Sequence, residues 1–200
     1  MIPAVTAKNG ALCFSAGMVV DADGAPNAYA PAGSGLVALD YLANAMNGEK
    51  FVGVVCIAGE PVVQGPSGLC PGYYVSPTSL ADPTKTVTDP RRYVNADAVP
   101  YIAVCPELRS MGLRFGDLAM VLYKDKRAAA IVADGSPHNH YGEASVACAR
   151  ALDIPCSAKN GGVSSGVTYL CFPGTLTAPV WPRDFTADAE ALYQKWLAVS

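Results

Sequence analysis

Glycine and proline interrupt this chain throughout: nineteen of one and sixteen of the other are scattered over 200 residues without a period. Each is a poor guest in the middle of a helix and a natural guest in a turn. The apolar runs left between them are short, of strand length rather than helix length. "VPYIAVCP" (99–106), "GYYVSPTSL" (72–80), "FVGVVCIAG" (51–59) and "GVTYLCFPG" (166–174) all read as strands bounded by turn residues. "FGDLAMVLYKDKRAAAIVAD" (115–134) reads as a hairpin whose second strand delivers Asp134 at its end. Strands outnumber helices and do not alternate with them regularly, which predicts a mainly β fold, an antiparallel or mixed β-barrel with peripheral α-helices.

Three segments carry helical spacing. "GSGLVALDYLANAMNG" (33–48) repeats Leu36, Leu39, Leu42, Ala43 and Met46, with Ser34 as cap and Asn47-Gly48 as stop. "ASVACARALD" (144–153) predicts a short helix that places Gly142 and Glu143 at or just before its first turn. "TADAEALYQKWLAVS" (186–200) predicts a closing helix over about 186–199, capped by Thr186, with a Leu192/Trp196 and Tyr193/Leu197 face turned to the core. Nothing in the pattern divides residues 1–200 into more than one domain.

Half of the residues are apolar and only 16% are charged, against about a quarter in ordinary soluble proteins. The net charge of −3 argues against nucleic acid, which is met by a basic stripe. No apolar run reaches the roughly 18 residues of a membrane helix, and "MIPAVTAKNG" lacks the basic and apolar regions of a secretory signal. The seven cysteines contain no C-x-x-C pair, so a structural zinc site is not expected. Cys56 and Cys148 read as core residues, whereas Cys70 and Cys156 are candidates for a disulfide. Cys148 on an apolar helix face is a poor nucleophile.

The stretch "ADGSPHNHYGEAS" (133–145) sets Asp134 and Glu143 either side of a loop that holds His138 and His140, the only two histidines. Two carboxyls brought to one end of a barrel are what glycosidic cleavage requires: one protonates the leaving oxygen and the other activates water. On spacing alone an ordinary turn is the better reading, because Asp after a strand and Glu at a helix start also suit turn and dipole chemistry. Two histidines do not make a metal site, so no metal and no cofactor is expected; either ring is a candidate hydrogen-bond partner for substrate. "DADG" (21–24) is a turn or an anionic patch, and it lacks the spacing of an EF-hand.

Five phrases together change the odds. "DADGAPNAY" (21–29), "GYYVSPTSL" (72–80), "YVNADAVPYIAVCP" (93–106), "FGDLAMV" (115–121) and "ADGSPHNHYGEASVACARALDI" (133–154) resemble, in order, the glycoside hydrolase family 75 chitosanases, over about residues 20–175. The resemblance implies endo-acting, inverting hydrolysis of the β-1,4 glucosamine links of chitosan. It places the essential carboxylates at Asp134 and Glu143 and implies an extracellular or cell-envelope setting. Glu143 is expected to be the acid and Asp134 the base. The last phrase is also similar to the strand–loop–helix of double-psi β-barrels, which implies a six-stranded barrel of that type. Asp21, Asp23, Asp117 and Tyr29, with His138 and His140, are the expected substrate-binding residues, and Tyr73 or Tyr74 are candidates to stack on sugar. The expected partner is an amino-sugar polysaccharide, met by a monomer. Rival expectations are a peptidoglycan hydrolase or lytic transglycosylase on a similar barrel, and a non-catalytic carbohydrate-binding barrel.

Overall fold

The computed structural model describes residues 2–199. Its strands are β1 (Thr6–Lys8), β2 (Ala11–Asp21), β3 (Met46–Asn47), β4 (Lys50–Phe51), β5 (Cys56–Ile57), β6 (Glu60–Pro61), β7 (Tyr101–Val104), β8 (Leu118–Tyr123), β9 (Lys126–Gly135), β10 (Glu143–Ser145) and β11 (Val163–Phe172). Its helices are α1 (Pro106–Ser110), α2 (Val146–Ala151) and α3 (Thr186–Ala198). Six strands close a barrel in the order β2-β10-β7-β9-β8-β11, with β11 pairing back onto β2. The β2–β10 and β7–β9 pairs are parallel and the remaining pairs of the ring antiparallel. The mainly β barrel with peripheral helices is therefore the fold that the punctuated sequence predicts. No helix among the described residues is long and apolar enough to cross a membrane.

Strand alternation sorts the side chains into two populations. Leu12, Phe14, Met18 and Val20 of β2 meet Ile102, Val104, Val121, Val132, Ala144, Val167 and Tyr169 in one apolar cluster drawn from all six strands, the barrel interior. Phe14 and Tyr169 stack at its centre, 4.9 Å between centroids, with Tyr141 edge-on to Phe14 at 5.6 Å. The intervening residues face outward. On one side Met120, Leu170 and Phe172 are covered by Tyr193, Leu192 and Trp196 of α3. On another, Tyr101, Leu118, Ile131 and Ala133 lie beneath the excursion between β2 and β7, which contributes Ala25, Tyr29, Val54, Tyr74 and Val94.

That excursion is where the sequence misleads. No α-helix forms over 33–48; a single 3₁₀ turn at Leu42–Ala45 is all that remains. Gly33 and Gly35 both take φ of +74°, outside the helical region, and Val37 is 81% exposed, so the apolar spacing has no core to face. "FVGVVCIAG" is not one strand; it is split between the two-residue ladders β3–β4 and β5–β6, and Cys56 is half-buried there rather than in the core. "GYYVSPTSL" contributes one bridge, Tyr74 to Val63. The other strands, the 115–134 hairpin and α2 lie where the pattern puts them, except that Thr186 is the first residue of α3 and provides no cap, and Leu197 is exposed. All seven cysteines are free, including Cys70 and Cys156.

Truncating the central ring, Phe14→Ala, should cost about 3–5 kcal/mol of unfolding free energy. Leu197→Ala, on exposed helix surface, should stay within about 0.5 kcal/mol. Urea titrations of the two variants check this contrast.

Candidate functional site

Glu143 does not open a helix. It begins β10, and Ser145 caps α2 by accepting the Cys148 N–H at 3.1 Å. Ala144 points into the barrel, so Glu143 and Ser145 point out. Glu143 lies opposite Ala103 of β7, and Ala103 in turn lies opposite Asp134 of β9. The register slips by one residue here: Ile102 pairs with Val132, yet Ala103 pairs with Asp134. Val132 points inward, and strict alternation would turn Asp134 inward as well. The β-bulge at Ala133 re-aims the aspartate onto the outer face, in the row of Glu143. With strands spaced about 4.8 Å apart, one intervening strand sets the two backbones about 10 Å apart.

The excursion roofs this row and leaves a cleft of about 750 Å³, whose lining includes Asp23, Asp134, Glu143, His140, Ser79 and Asn44. Asp21 ends β2 next to Ser145. Its Oδ1 accepts the Asp23 N–H at 2.8 Å and its Oδ2 the Tyr101 hydroxyl at 2.9 Å. Asp23 Oδ1 accepts the hydroxyls of Tyr29 (2.8 Å) and Ser76 (3.2 Å). One carboxylate oxygen from each of Asp21, Asp23 and Asp134 lies within 4.8 Å of the others. Such a trio can receive a cation, whether a metal ion or a protonated amine.

The two acids facing each other across β7 sit in unlike surroundings. Asp134 Oδ1 accepts three hydrogen bonds, from the Ser79 hydroxyl (2.7 Å), the Gly135 N–H (2.7 Å) and the Ser79 N–H (3.1 Å). Burial raises its pKa, and these donors pull it back toward the charged form. Glu143 has no such support: its Oε2 is buried and meets no partner. Burial first, then the charges of Asp21 and Asp134, push Glu143 up to about 8. Asp21 is likewise raised, to about 7, by burial and then by Asp134. Near neutrality Glu143 holds its proton, and Asp134 is the better placed to lose one.

The structure brings together Asp134, Glu143, Asp21, Asp23 and His140, and sets three expected site residues apart. Asp117 is fully buried and staples a turn, accepting the N–H groups of Thr175, Leu176 and Arg114, outside the lining of the acidic cleft. His138 points away from the acids to Glu107 Oε1, 2.9 Å, and with the Asn139 N–H draws the Glu107 carboxyl down to about 2. Tyr29 is buried and spends its hydroxyl on Asp23, so it presents no face to sugar; Tyr74 is buried as well. Two residues that the sequence reading passed over matter here. Ser79 grips Asp134, and Tyr101 grips Asp21; both lie in stretches that read as strands, and neither carries a local signal of its partner. No protein-family model matches the chain, and no curated protein matches it.

Because Glu143 is raised from its ordinary 4.5 to about 8 by folding, the folded chain keeps a proton that the unfolded chain would release. The associated stability is complete below about pH 4.5 and is lost as the pH rises through about 8. Glu143→Gln removes this dependence. The variant should gain on wild type as pH rises, by on the order of 5 kcal/mol at the alkaline end. Chemical denaturation of both proteins at a series of pH values measures the difference.

Proposed function

We propose that this chain is an endo-acting glycoside hydrolase that cleaves the β-1,4 links of a glucosamine polymer, chitosan, with inversion. The observation that carries the reading is the row Glu143–Ala103–Asp134: two carboxyls on one face of the sheet, one strand apart, at the floor of a single cleft. Inverting glycosidases separate their carboxyls by roughly 6.5–9.5 Å, leaving room for water, whereas retaining enzymes hold them at about 5–5.5 Å. Side chains standing parallel from backbones about 10 Å apart suit the wider spacing.

Glu143, protonated and with an orphan oxygen, gives its proton to the glycosidic oxygen as the bond from that oxygen to the anomeric carbon breaks. Asp134, fixed by Ser79 and Gly135, takes a proton from the water that attacks the same carbon from the opposite face. The polarity of the cleft supports a cationic sugar. Asp21 and Asp23 add two more carboxyls beside the pair, both held toward the neutral form by burial and by their acidic neighbours, and a protonated substrate amine among these acids favours their charged forms. The order of the phrases shared with family 75 chitosanases supports the same assignment.

Wild-type protein should release reducing ends from chitosan, with the α-anomer formed first in a proton NMR time course. Glu143→Gln and Asp134→Asn should each lose about 10²–10⁴-fold in turnover while unfolding as cooperatively as wild type. Activity on peptidoglycan but not chitosan, or full turnover in both amide variants, would overturn the reading.

The rate should also follow a bell in pH. Its alkaline limb falls as Glu143 deprotonates near pH 8. Its acid limb lies above the ordinary aspartate range, because burial raises Asp134. A kcat/KM profile on a short oligomer locates both limbs.

A further inference from the structure

A second groove, of about 640 Å³, opens on the other side of His140 and shares that residue with the acidic cleft. Ser15, Asn139, Tyr141, Ser164 and Ser165 are among the residues that line it. Its construction is local and specific. β11 pairs Val163 with Met18 and Val167 with Ala16, so four residue steps on β11 face two on β2. The surplus throws Ser164, Ser165 and Gly166 outward as a bulge, and all three are exposed. The opposite wall is the 137–142 loop, which is laid backbone-to-backbone on β2. Gly142 takes φ +85°, and a methyl there would overlap the Gly17 carbonyl oxygen. Below, the Tyr169 hydroxyl donates to that same carbonyl at 2.9 Å.

The two grooves differ sharply in charge. The cleft holds Asp23, Asp134 and Glu143. Among the described residues lining the second groove there is no aspartate, glutamate, lysine or arginine. What it offers is hydroxyls, a carboxamide, a tyrosine ring and main chain. Such a surface binds neutral polyhydroxylated units by hydrogen bonds and apolar contact, and gives an ammonium group no counter-charge.

We infer that the polymer runs continuously through both grooves past His140, and that the second groove accepts N-acetylglucosamine units while the acidic cleft selects free amines. The inference rests on the hydrolase reading and deepens it by assigning acetylation preference to one side of the cut. An acetamido group in the acidic cleft leaves buried carboxyls without a cation, whereas in the second groove it meets donors and acceptors that an amide satisfies. Chain ends made by the enzyme should therefore be asymmetric.

The test digests partially acetylated chitosan in ¹⁸O-water, which labels each new reducing end, and sequences the products by mass spectrometry. Acetylated units should appear at new ends on one side of the cut and be nearly absent from the other. Ser165→Trp, which fills the groove, and Ser164→Asp, which charges it, should each lower the ratio of turnover on acetylated polymer to turnover on a glucosamine oligomer, by about tenfold. Acetylated units equally frequent at both new ends, or no change of ratio in either variant, would overturn this inference and leave the hydrolase reading standing. Failure of wild type to cut any chitosan would overturn both.

Discussion

The ring closes because β2 is long enough to pair with both of its neighbours in the ring. Its first half pairs with β1 and with β11, and its last three residues run parallel to β10. Without that handover the sheet would have two open edges, and Asp21 would have no fixed position relative to Glu143. The same strand thus closes the interior and sets one corner of the candidate site. Burying Phe14, Met18 and Val20 on one face supplies stabilisation of about 1.5–3 kcal/mol per large apolar side chain.

The acids are expensive to keep. Asp21, Asp23, Asp134 and Glu143 all have raised pKa values, with burial as the first cause in each case. Hydroxyls from Ser76, Ser79, Tyr29 and Tyr101 relieve the three aspartates, whereas Glu143 is left with an unsatisfied oxygen. A cluster under this strain is a poor device for stability. Under the proposed hydrolase activity it would serve as a site whose protons are already distributed unequally before substrate arrives, so that little rearrangement is left for the moment of reaction.

How far the sequence foretold this differs between its two halves. From residue 99 onward, apolar runs bounded by glycine and proline became strands, because each has a face that the closed ring buries. Between 22 and 98 the same signals failed. Leu36, Leu39 and Leu42 have helical spacing but form no more than one 3₁₀ turn, and the valines of 51–59 fall in the bend between two two-residue ladders, where propensity has nothing to propagate. Asp134 and Glu143 were visible as a pair by motif resemblance, but their alignment depends on a one-residue slip at Ala133 that no local pattern announces. Asp117 looked equivalent to the other acids because a sequence does not distinguish a carboxylate that meets solvent from one that meets three backbone N–H groups. Tyr101 and Asp21 lie 80 positions apart and meet because β10 joins β7 to the end of β2.

The sheet that carries both populations of side chains is a single backbone thick. Odd and even positions along β2, β7 and β10 have different surroundings: the even ones fill the barrel interior, and the odd ones meet the acidic cleft or the apolar cover outside it. A library that varies an exposed outward position such as Val19 would explore new surface chemistry against an unaltered interior. A library that varies the inward ones would retune rigidity while leaving the polar surface untouched.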